Sequence, residues 1–202
     1  DDEVGSVTYY RPGPTRTTTL WRNGSSYEDA TVTNSYLPDG RLSWTTDALG
    51  NRTDYEYDSH GRLTCVFQPV DSTQAGTASG VSGATLSDST KSWLSGELLG
   101  MALVVTSGDG QGIYDVASGS GTSVTAEQDL YAAGVRTGDT YELRPYTQTA
   151  YSDCCNLAVS ERDERGSQTY YAYDPDTKRL TEVRNDVTGA SSTYPLVQYA
   201  YY

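Results

Sequence analysis

The tripeptide Gly-Arg-Leu occurs twice in this 202-residue chain, at 40–42 and at 61–63, so the two copies are 21 residues apart. In each copy a tyrosine, Tyr36 or Tyr57, lies six residues before the leucine. A unit this short cannot bury a hydrophobic core by itself and is stabilised by stacking on neighbouring copies. The spacing therefore predicts a repeat architecture in this part of the chain.

The local pattern of the second copy predicts a β-hairpin. Tyr55-Glu-Tyr57 alternates, so both rings lie on one face of a strand, and Asp58-Ser-His-Gly61 has the composition of a tight turn. The segment 62–66 then alternates again as a returning strand. A second turn, at 47–51, precedes the tyrosine strand. Each repeat is thus expected to hold two turns and two strands.

Spacing identifies further copies that sequence identity conceals. Tyr151 lies six residues before Leu157, Tyr173 lies seven before Leu180, and the segment 163–166 matches the turn at 47–50. Four related hairpins are therefore predicted, with the tyrosines and leucines as the repeat core. The predicted core positions are Tyr36, Leu42, Tyr55, Tyr57, Leu63, Tyr151, Leu157, Tyr171, Tyr173 and Leu180. Upstream of them, we expect two strands joined by a turn at Asn23-Gly24.

Composition supports strands and disfavours several classes of partner. The chain has 18 Tyr but one Phe and one Met, and tyrosine is enriched in strands. Its net charge of −13 repels phosphate backbones and anionic lipids, so we expect no binding of nucleic acid. The sequence lacks an apolar run of about 18 residues, so no membrane span is expected.

These motifs resemble the YD repeats of RHS proteins, a group that includes bacterial polymorphic toxins, insecticidal toxin-complex shells and teneurins. The resemblance is carried by Tyr57-Asp58-Ser-His-Gly61-Arg62-Leu63 and by the turn at 47–51, and in a second block by Tyr171-Ala-Tyr173-Asp174 with Arg179-Leu180. It implies an antiparallel sheet of hairpins that winds as a spiral, with each repeat stacked on the last.

Between the two blocks the repeat register disappears. This segment is rich in Gly, Ser and Thr, but apolar runs such as 101–106 alternate with glycine turns, which predicts a small β-sandwich or barrel-like module inserted at a hairpin turn. It contains Thr85-Leu-Ser-Asp88-Ser-Thr-Lys-Ser-Trp93, which resembles modules of bacterial and phage surface proteins. The predicted organisation is a first block at 1–69, the module at 70–145 and a second block at 146–202.

Three cysteines flank the predicted insertion. Cys65 precedes it, and Cys154 and Cys155 follow it on a strand that the hairpin places beside that of Cys65. A disulfide from Cys65 to either of the other two would close the hairpin, and the alternative is that all three are thiols of a cytosolic chain. No spaced Cys or His ligands accompany them, so no metal site is expected.

The sequence offers little for catalysis. His60 is the only histidine and lies on a predicted turn, and the paired carboxylates, such as Asp174 with Asp176, also fall on turns, where aspartate supports the backbone. Asp174-Pro-Asp-Thr lacks the Gly-Leu that follows the aspartate in self-cleaving RHS shells. The glycine-rich segment 107–112 has no phosphate-loop lysine. We therefore predict that the chain is not an enzyme and binds no cofactor.

Two sequons, Asn23-Gly-Ser and Asn51-Arg-Thr, lie on predicted turns. They are N-glycosylation acceptors if a glycosylating host exports the protein, and ordinary turn asparagines if it is bacterial.

These observations predict an extracellular or cell-surface structural protein whose partners are copies of itself. Unpaired strand edges at the two ends of an open sheet would join copies head to tail into a filament. One alternative is a fragment of an RHS shell that encloses a toxin. Another is a carbohydrate-binding adhesin, in which rings such as that of Trp93 stack on glycans.

Overall fold

The computed structural model describes residues 15–23, 26–186 and 194–200. These residues form sixteen β-strands and one short 3-10 helix, Ser72–Gln74, with no α-helix among them. The strands are β1 Thr15–Asn23, β2 Ser26–Tyr36, β3 Leu42–Thr46, β4 Arg52–Tyr57, β5 Leu63–Phe67, β6 Ala75–Thr77, β7 Gly80–Ser82, β8 Thr85–Ser87, β9 Met101–Val105, β10 Gly112–Ser120, β11 Ser123–Ala126, β12 Thr140–Tyr151, β13 Ala158–Arg162, β14 Gln168–Tyr173, β15 Leu180–Asp186 and β16 Tyr194–Gln198. The prediction of an all-β fold with antiparallel pairing is confirmed.

The chain divides into two compact units after Pro69. In the first unit, β1 to β5 form an up-and-down meander in which each strand is antiparallel to the next. The pairing of β1 with β2 ends at Asn23 opposite Ser26, as expected for a two-residue hairpin loop. That loop, Gly24–Ser25, lies outside the described residues.

The four predicted hairpins share a β-bulge at the same place. In each, the pairing register shifts immediately before the tyrosine that precedes the turn, namely Tyr36, Tyr57, Tyr151 and Tyr173. The returning strand carries the extra residue, which is Ser43, Thr64, Val159 or Thr181. Two of these, Thr64 and Thr181, donate their hydroxyls to the opposite strand, at Glu56 O and Ala172 O, at 3.2 and 3.0 Å. The relation between the four hairpins thus extends to their backbones.

In the second unit, the long strand β12 takes part in two sets of pairs. Residues 141–145 pair with β9 and residues 140–142 pair with β6, whereas residues 148–151 pair with β13. A meander of β13, β14, β15 and β16 follows. The boundary predicted at 145/146 therefore lies inside a continuous strand, and the insertion of 70–145 as a separate module stays a prediction.

The main cluster of buried hydrophobic residues lies within residues 78–143, and Cys65, Phe67 and Tyr146 are buried outside it. Strands β6, β9, β10 and β12 form one set of pairs and β7, β8, β10 and β11 another, with β10 in both and a register shift between Val116 and Ser118. Side chains from both sets and from the segments that connect the strands form one hydrophobic cluster: Ala78, Leu86, Trp93, Leu98, Leu103, Val105, Tyr114, Val116, Val124, Ala126, Leu130, Val135, Tyr141 and Leu143. Hydrophobic burial is thus concentrated outside the repeat hairpins.

Candidate functional site: the bonds that join successive hairpins

One tyrosine bond links each of two hairpins to the hairpin before it. The Tyr57 hydroxyl donates to the backbone carbonyl of Leu42 at 2.9 Å, and the Tyr173 hydroxyl donates to that of Ala158 at the same distance. Each pair is 15 residues apart. Burial raises the pKa of both tyrosines, which keeps their hydroxyls protonated as donors. We call this interaction the tyrosine clasp.

Three turns with the pattern Asp-x-x-Gly share one set of hydrogen bonds. In the turns that begin at Asp47, Asp58 and Asp163, one carboxylate oxygen accepts from the amides two and four residues later, at 2.8–2.9 Å. The glycine amide donates to the aspartate carbonyl at 2.9–3.0 Å. The glycine then takes a positive φ of 81–88°, a conformation that L side chains rarely adopt. The predicted match between the turns at 47–50 and 163–166 is confirmed.

The four tyrosine turns share a left-handed residue two positions before the start of the returning strand. Gly40 and Gly61 occupy this position in the first unit, with φ of 88° and 81°. In the second unit, Asn156 and Lys178 adopt φ of 56° and 60°. Asparagine tolerates this conformation better than lysine does, because its short side chain bonds locally to the backbone.

At one repeat-core position the structure has Ala158 in place of the predicted Leu157. Tyr151 pairs with Ala158, whereas Tyr36, Tyr57 and Tyr173 pair with leucines. The clasp of Tyr173 on Ala158 confirms this alignment independently. Leu157 therefore lies in the turn, and this hairpin spans seven residues, like the one at Tyr173, rather than the six that sequence spacing suggests. The turn after Tyr151 has one residue more than predicted, so Tyr151 pairs one residue later than the sequence spacing suggests.

The side chains at the predicted repeat-core positions are only partly buried. Nine of the ten predicted core residues are half-buried, and Leu63 is 38% exposed. The predicted tyrosine and leucine face thus contributes less complete burial than the cluster at 78–143. Hydrogen bonds compensate in part, because Tyr171 also donates to Glu161 Oε2 at 2.7 Å.

Arg41 adds a second contact between hairpins in the first unit. Its guanidinium lies 4.6 Å from the centre of the Tyr57 ring and is also paired with Asp39. A Cβ on Gly61 would lie 3.3 Å from Arg41 Nη1, so glycine makes room for the arginine there. Sequence reasoning treated this arginine as part of a motif and missed its contact with the next repeat. In the second unit, Leu157 occupies the equivalent position.

The cysteine prediction is corrected. A disulfide joins the adjacent residues Cys154 and Cys155, whose Cα atoms are 3.8 Å apart, and Cys65 is a buried thiol in β5. The predicted bond from Cys65 to Cys154 or Cys155 is therefore not the one present. The disulfide therefore does not cross-link two strands but lies within the turn that follows Tyr151.

Of the two sequons, one can be described fully. The side chain of Asn51 is exposed on a turn, and its Nδ2 donates to Asp47 Oδ2 at 2.8 Å. That bond lowers the pKa of Asp47, together with backbone bonds from Asn51 and Leu49. The side chain of Asn23 lies outside the described residues, and glycosylation at either residue stays a prediction.

The candidate catalytic groups take part in turns. His60 is exposed, its amide donates to Asp58 Oδ1, and its Nδ1 lies 3.5 Å from Ser59 Oγ. Asp174 Oδ1 accepts from the amides of Asp176 and Thr177, at 3.1 and 2.7 Å. The part of the chain that the structure describes contains no group of three or more His, Cys, Asp or Glu placed to hold a metal ion.

The Thr85–Trp93 motif is structural in this fold. Asp88, 1% exposed, accepts from the Tyr141 hydroxyl at 2.8 Å, and Trp93 is 5% exposed with its Nε1 bonded to Gln74 Oε1 at 2.8 Å. The expectation that the Trp93 ring stacks on a glycan is therefore wrong, because the ring belongs to the buried cluster. The glycine-rich segment 107–112 packs against other backbone, since a Cβ on Gly110 would lie 2.3 Å from Val135 N.

Comparison with known proteins agrees with the repeat geometry. The family model of the RHS repeat matches residues 36–64, which span the first two tyrosine turns. No curated protein matches the chain. RHS repeats form structural β-scaffolds in cell-surface and secreted proteins. In the described residues, no helix has the length and apolar character needed to cross a membrane. The segment 36–64 is therefore an RHS repeat, and the chain is a protein that contains one.

Proposed function

We propose that this chain is a non-enzymatic structural scaffold that acts outside the cell and assembles head to tail with copies of itself. The observation that carries the scaffold role is the tyrosine clasp, which recurs with the same geometry in both units. Because a two-stranded hairpin is marginal in water, bonds between hairpins are what an extended array needs. The turn aspartates support the same role, since their oxygens bind backbone amides.

Two strand edges support assembly. Among the described strands, β1 pairs with β2 alone within its unit, and β16 pairs with β15 alone within its own. An edge strand presents unpaired N–H and C=O groups that can accept a further strand. β1 is the longer edge, with nine residues, whereas β16 has five and includes Pro195, which lacks a donor. Addition of β16 of one copy to β1 of the next would not close and would give a filament.

Sedimentation velocity and electron microscopy of the purified chain test this proposal. The wild type is expected to form linear polymers that lengthen with protein concentration. Thr18→Pro and Thr19→Pro each remove one amide donor, and since amides alternate in direction along a strand, one of the two faces the open edge. The variant that keeps the wild-type melting temperature should remain monomeric.

Wild-type protein that stays monomeric at every concentration would overturn the assembly. If both proline variants still form polymers, β1 is not the strand through which the copies assemble. Immunogold labelling of intact source cells tests the location, with labelling confined to lysed cells as the opposing result.

A segment of an RHS shell is the second candidate, and the RHS-repeat match favours it. The mass of the native polypeptide tests the shell. A shell that encloses a cargo needs a polypeptide much larger than 21.9 kDa, so a native mass near that value would exclude it, whereas a larger mass fits either candidate.

A further inference from the structure

The disulfide between Cys154 and Cys155 closes the smallest loop that a disulfide can close, because the two residues are adjacent in the chain. A disulfide stabilises a fold mainly by removing freedom from the unfolded chain, and this effect grows with the number of residues in the closed loop. The bond between Cys154 and Cys155 therefore adds little to the stability of the fold, and its presence points to a chemical role.

The turn that contains the disulfide is closed by hydrogen bonds that involve neither cysteine. The Ser152 amide donates to the Leu157 carbonyl at 2.8 Å, and the Leu157 amide donates to Ser152 Oγ at 3.3 Å. Next to this turn, Tyr151 pairs with Ala158, whose carbonyl also accepts from the Tyr173 hydroxyl. These contacts hold the hairpin together when the disulfide is opened.

The three cysteines differ in their access to solvent. Cys154 is exposed and Cys155 is half-buried, whereas the Cys65 thiol is buried in β5. An external thiolate must reach the sulfur that it attacks, so it attacks Cys154 Sγ, and Cys155 Sγ leaves as a thiolate. Exposed disulfides are also among those that are reduced most readily.

The neighbouring thiolate decides which reductants complete the reaction. The first attack breaks the bond between the two cysteines, forms a mixed disulfide on Cys154 and leaves an electron pair on Cys155 Sγ. Because this thiolate is on the adjacent residue, it attacks the mixed disulfide and expels a monothiol. A dithiol carries its own second thiolate, which displaces Cys154 and forms a cyclic disulfide. Two electrons and two protons thus pass to the cysteines, and the dithiol is oxidised.

The charge near the disulfide disfavours anionic reductants. Asp153 is exposed beside Cys154, and the chain as a whole carries a net charge of −13. Like charges slow the approach of a reagent, and the attacking thiolate already carries one negative charge. A dithiol without further negative charge should therefore react faster than one that also carries a carboxylate.

We propose that Cys154 and Cys155 form a reversible two-electron redox site whose reaction partner is a neutral dithiol. In the reduced state the site presents two adjacent thiols, which are ligands for soft elements such as trivalent arsenic. The site uses neither β1 nor β16, so the proposal does not depend on assembly.

The experiment is reduction of the native full chain by dihydrolipoamide, a neutral dithiol, followed by alkylation with iodoacetamide and peptide mass spectrometry. Cys154 and Cys155 should be alkylated together, and Cys65 should stay unmodified until the chain is unfolded. Dissolved oxygen should restore the disulfide once the dithiol is removed. The melting temperature of the reduced chain should fall by no more than about 4 °C.

A second measurement tests for the paired thiols. One equivalent of phenylarsine oxide should bind the reduced chain and block its reoxidation, and it should not bind the oxidised chain. The double variant Cys154→Ala/Cys155→Ala should fold, melt near the temperature of the reduced chain and bind no phenylarsine oxide. Cys65→Ala is the matched control and should bind phenylarsine oxide as the wild type does.

The charge argument has its own test. Dihydrolipoate is the same dithiol with a carboxylate in place of the amide, so at low salt it should reduce the wild type about twofold more slowly than dihydrolipoamide does. Asp153→Asn should make the two rates more nearly equal. Asp176→Asn, at an exposed position on another turn, should leave their ratio unchanged.

Reduced thioredoxin distinguishes the two sources of a dithiol. A higher rate with thioredoxin than with dihydrolipoamide at equal concentration would assign the partner to a protein, and a lower rate would assign it to a small molecule.

Four results would overturn the proposal. They are reduction only after unfolding, monothiols that react as fast as dithiols, a melting temperature more than about 10 °C lower in the reduced chain, and a double alanine variant that does not fold. The last two would show that the disulfide is a structural bond.

Discussion

The hydroxyl of Tyr173 lies 2.9 Å from the backbone oxygen of Ala158 and donates to it, across the interface between two successive hairpins. Tyr57 and Leu42 form the same bond in the other unit. A side chain that bonds to a carbonyl needs no particular partner residue, so the clasp persists where leucine is replaced by alanine. Stacking in this repeat is thus specified partly by the backbone.

Replacing either clasp tyrosine by phenylalanine should destabilise its unit. Tyr57→Phe and Tyr173→Phe each remove one hydrogen bond to a part-buried carbonyl, which should lower the free energy of unfolding by about 0.5–1.5 kcal/mol. Urea denaturation, monitored by near-UV circular dichroism, measures this change in the free energy of unfolding. Tyr55→Phe is the control, because its hydroxyl has no hydrogen bond among the described residues. An equal loss in Tyr55→Phe would show that the effect does not come from the clasp.

Gly61→Ala should be destabilising for two reasons. Its φ is +81°, which costs a non-glycine residue about 1–2 kcal/mol, and the new Cβ would lie 3.3 Å from Arg41 Nη1. The matched substitution is Gly80→Ala, where the backbone is not left-handed and nothing lies within 4 Å of the new Cβ. That control should be neutral or slightly stabilising. Equal melting temperatures for the two variants would contradict the strain at Gly61.

Lys178→Gly should stabilise the second unit. Lys178 holds φ of 60° in the position that Gly40 and Gly61 occupy elsewhere, so glycine removes about 1 kcal/mol of strain, offset in part by the greater freedom of the unfolded chain. Asn156→Gly, at the equivalent turn, should gain less, since asparagine tolerates this conformation. Thermal unfolding by calorimetry ranks the variants, and a larger gain in Asn156→Gly would refute the argument.

Acid should weaken the turn at Asp47. The Asn51 side chain, with backbone amides, lowers the pKa of the folded Asp47 below its unfolded value of about 3.9. The stabilisation is therefore complete above about pH 4 and is lost as the pH falls through the folded pKa. Carboxyl NMR titration of the wild type and of Asn51→Ala checks this. The titration of Asp47 should move to higher pH in the variant, and an unchanged midpoint would show that the amide has no effect.

Trp93→Ala should damage the core. The ring is 5% exposed within the hydrophobic cluster, and truncation of a buried aromatic residue costs about 3–5 kcal/mol. The neighbouring residue Leu94 is 75% exposed, so Leu94→Ala should change stability by less than about 0.5 kcal/mol. Denaturant unfolding compares the pair. A Trp93→Ala protein as stable as Leu94→Ala would mean that the ring is not part of the core.

Local patterns predicted the hairpins well. The Asp-x-x-Gly signal specifies its own hydrogen bonds within five residues, so the turns at Asp47, Asp58 and Asp163 could be predicted without tertiary information. Strand alternation around Tyr55 and Tyr57 was equally local. The RHS resemblance rested in part on the residues of 47–63, and the family match at 36–64 covers those.

The register of strand pairing and the partners of the cysteines were harder to predict. The turn after Tyr151 contains one more residue than the spacing to Leu157 implies, and only the strand pairing shows that Ala158 is the aligned residue. The disulfide of Cys154 with Cys155 competes with any bond to Cys65, a competition that sequence separation alone does not decide.

The bulge that precedes each of the four described tyrosine turns has a consequence for aggregation. A bulge adds right-handed twist to the strands around it, and here the increment returns with each hairpin, at Tyr36, Tyr57, Tyr151 and Tyr173. A ribbon that rotates at every step cannot lay a flat face against another ribbon over any length, whereas flat faces are what amyloid requires. The same irregularity that marks the repeat thus protects an aromatic-rich sheet from lateral stacking.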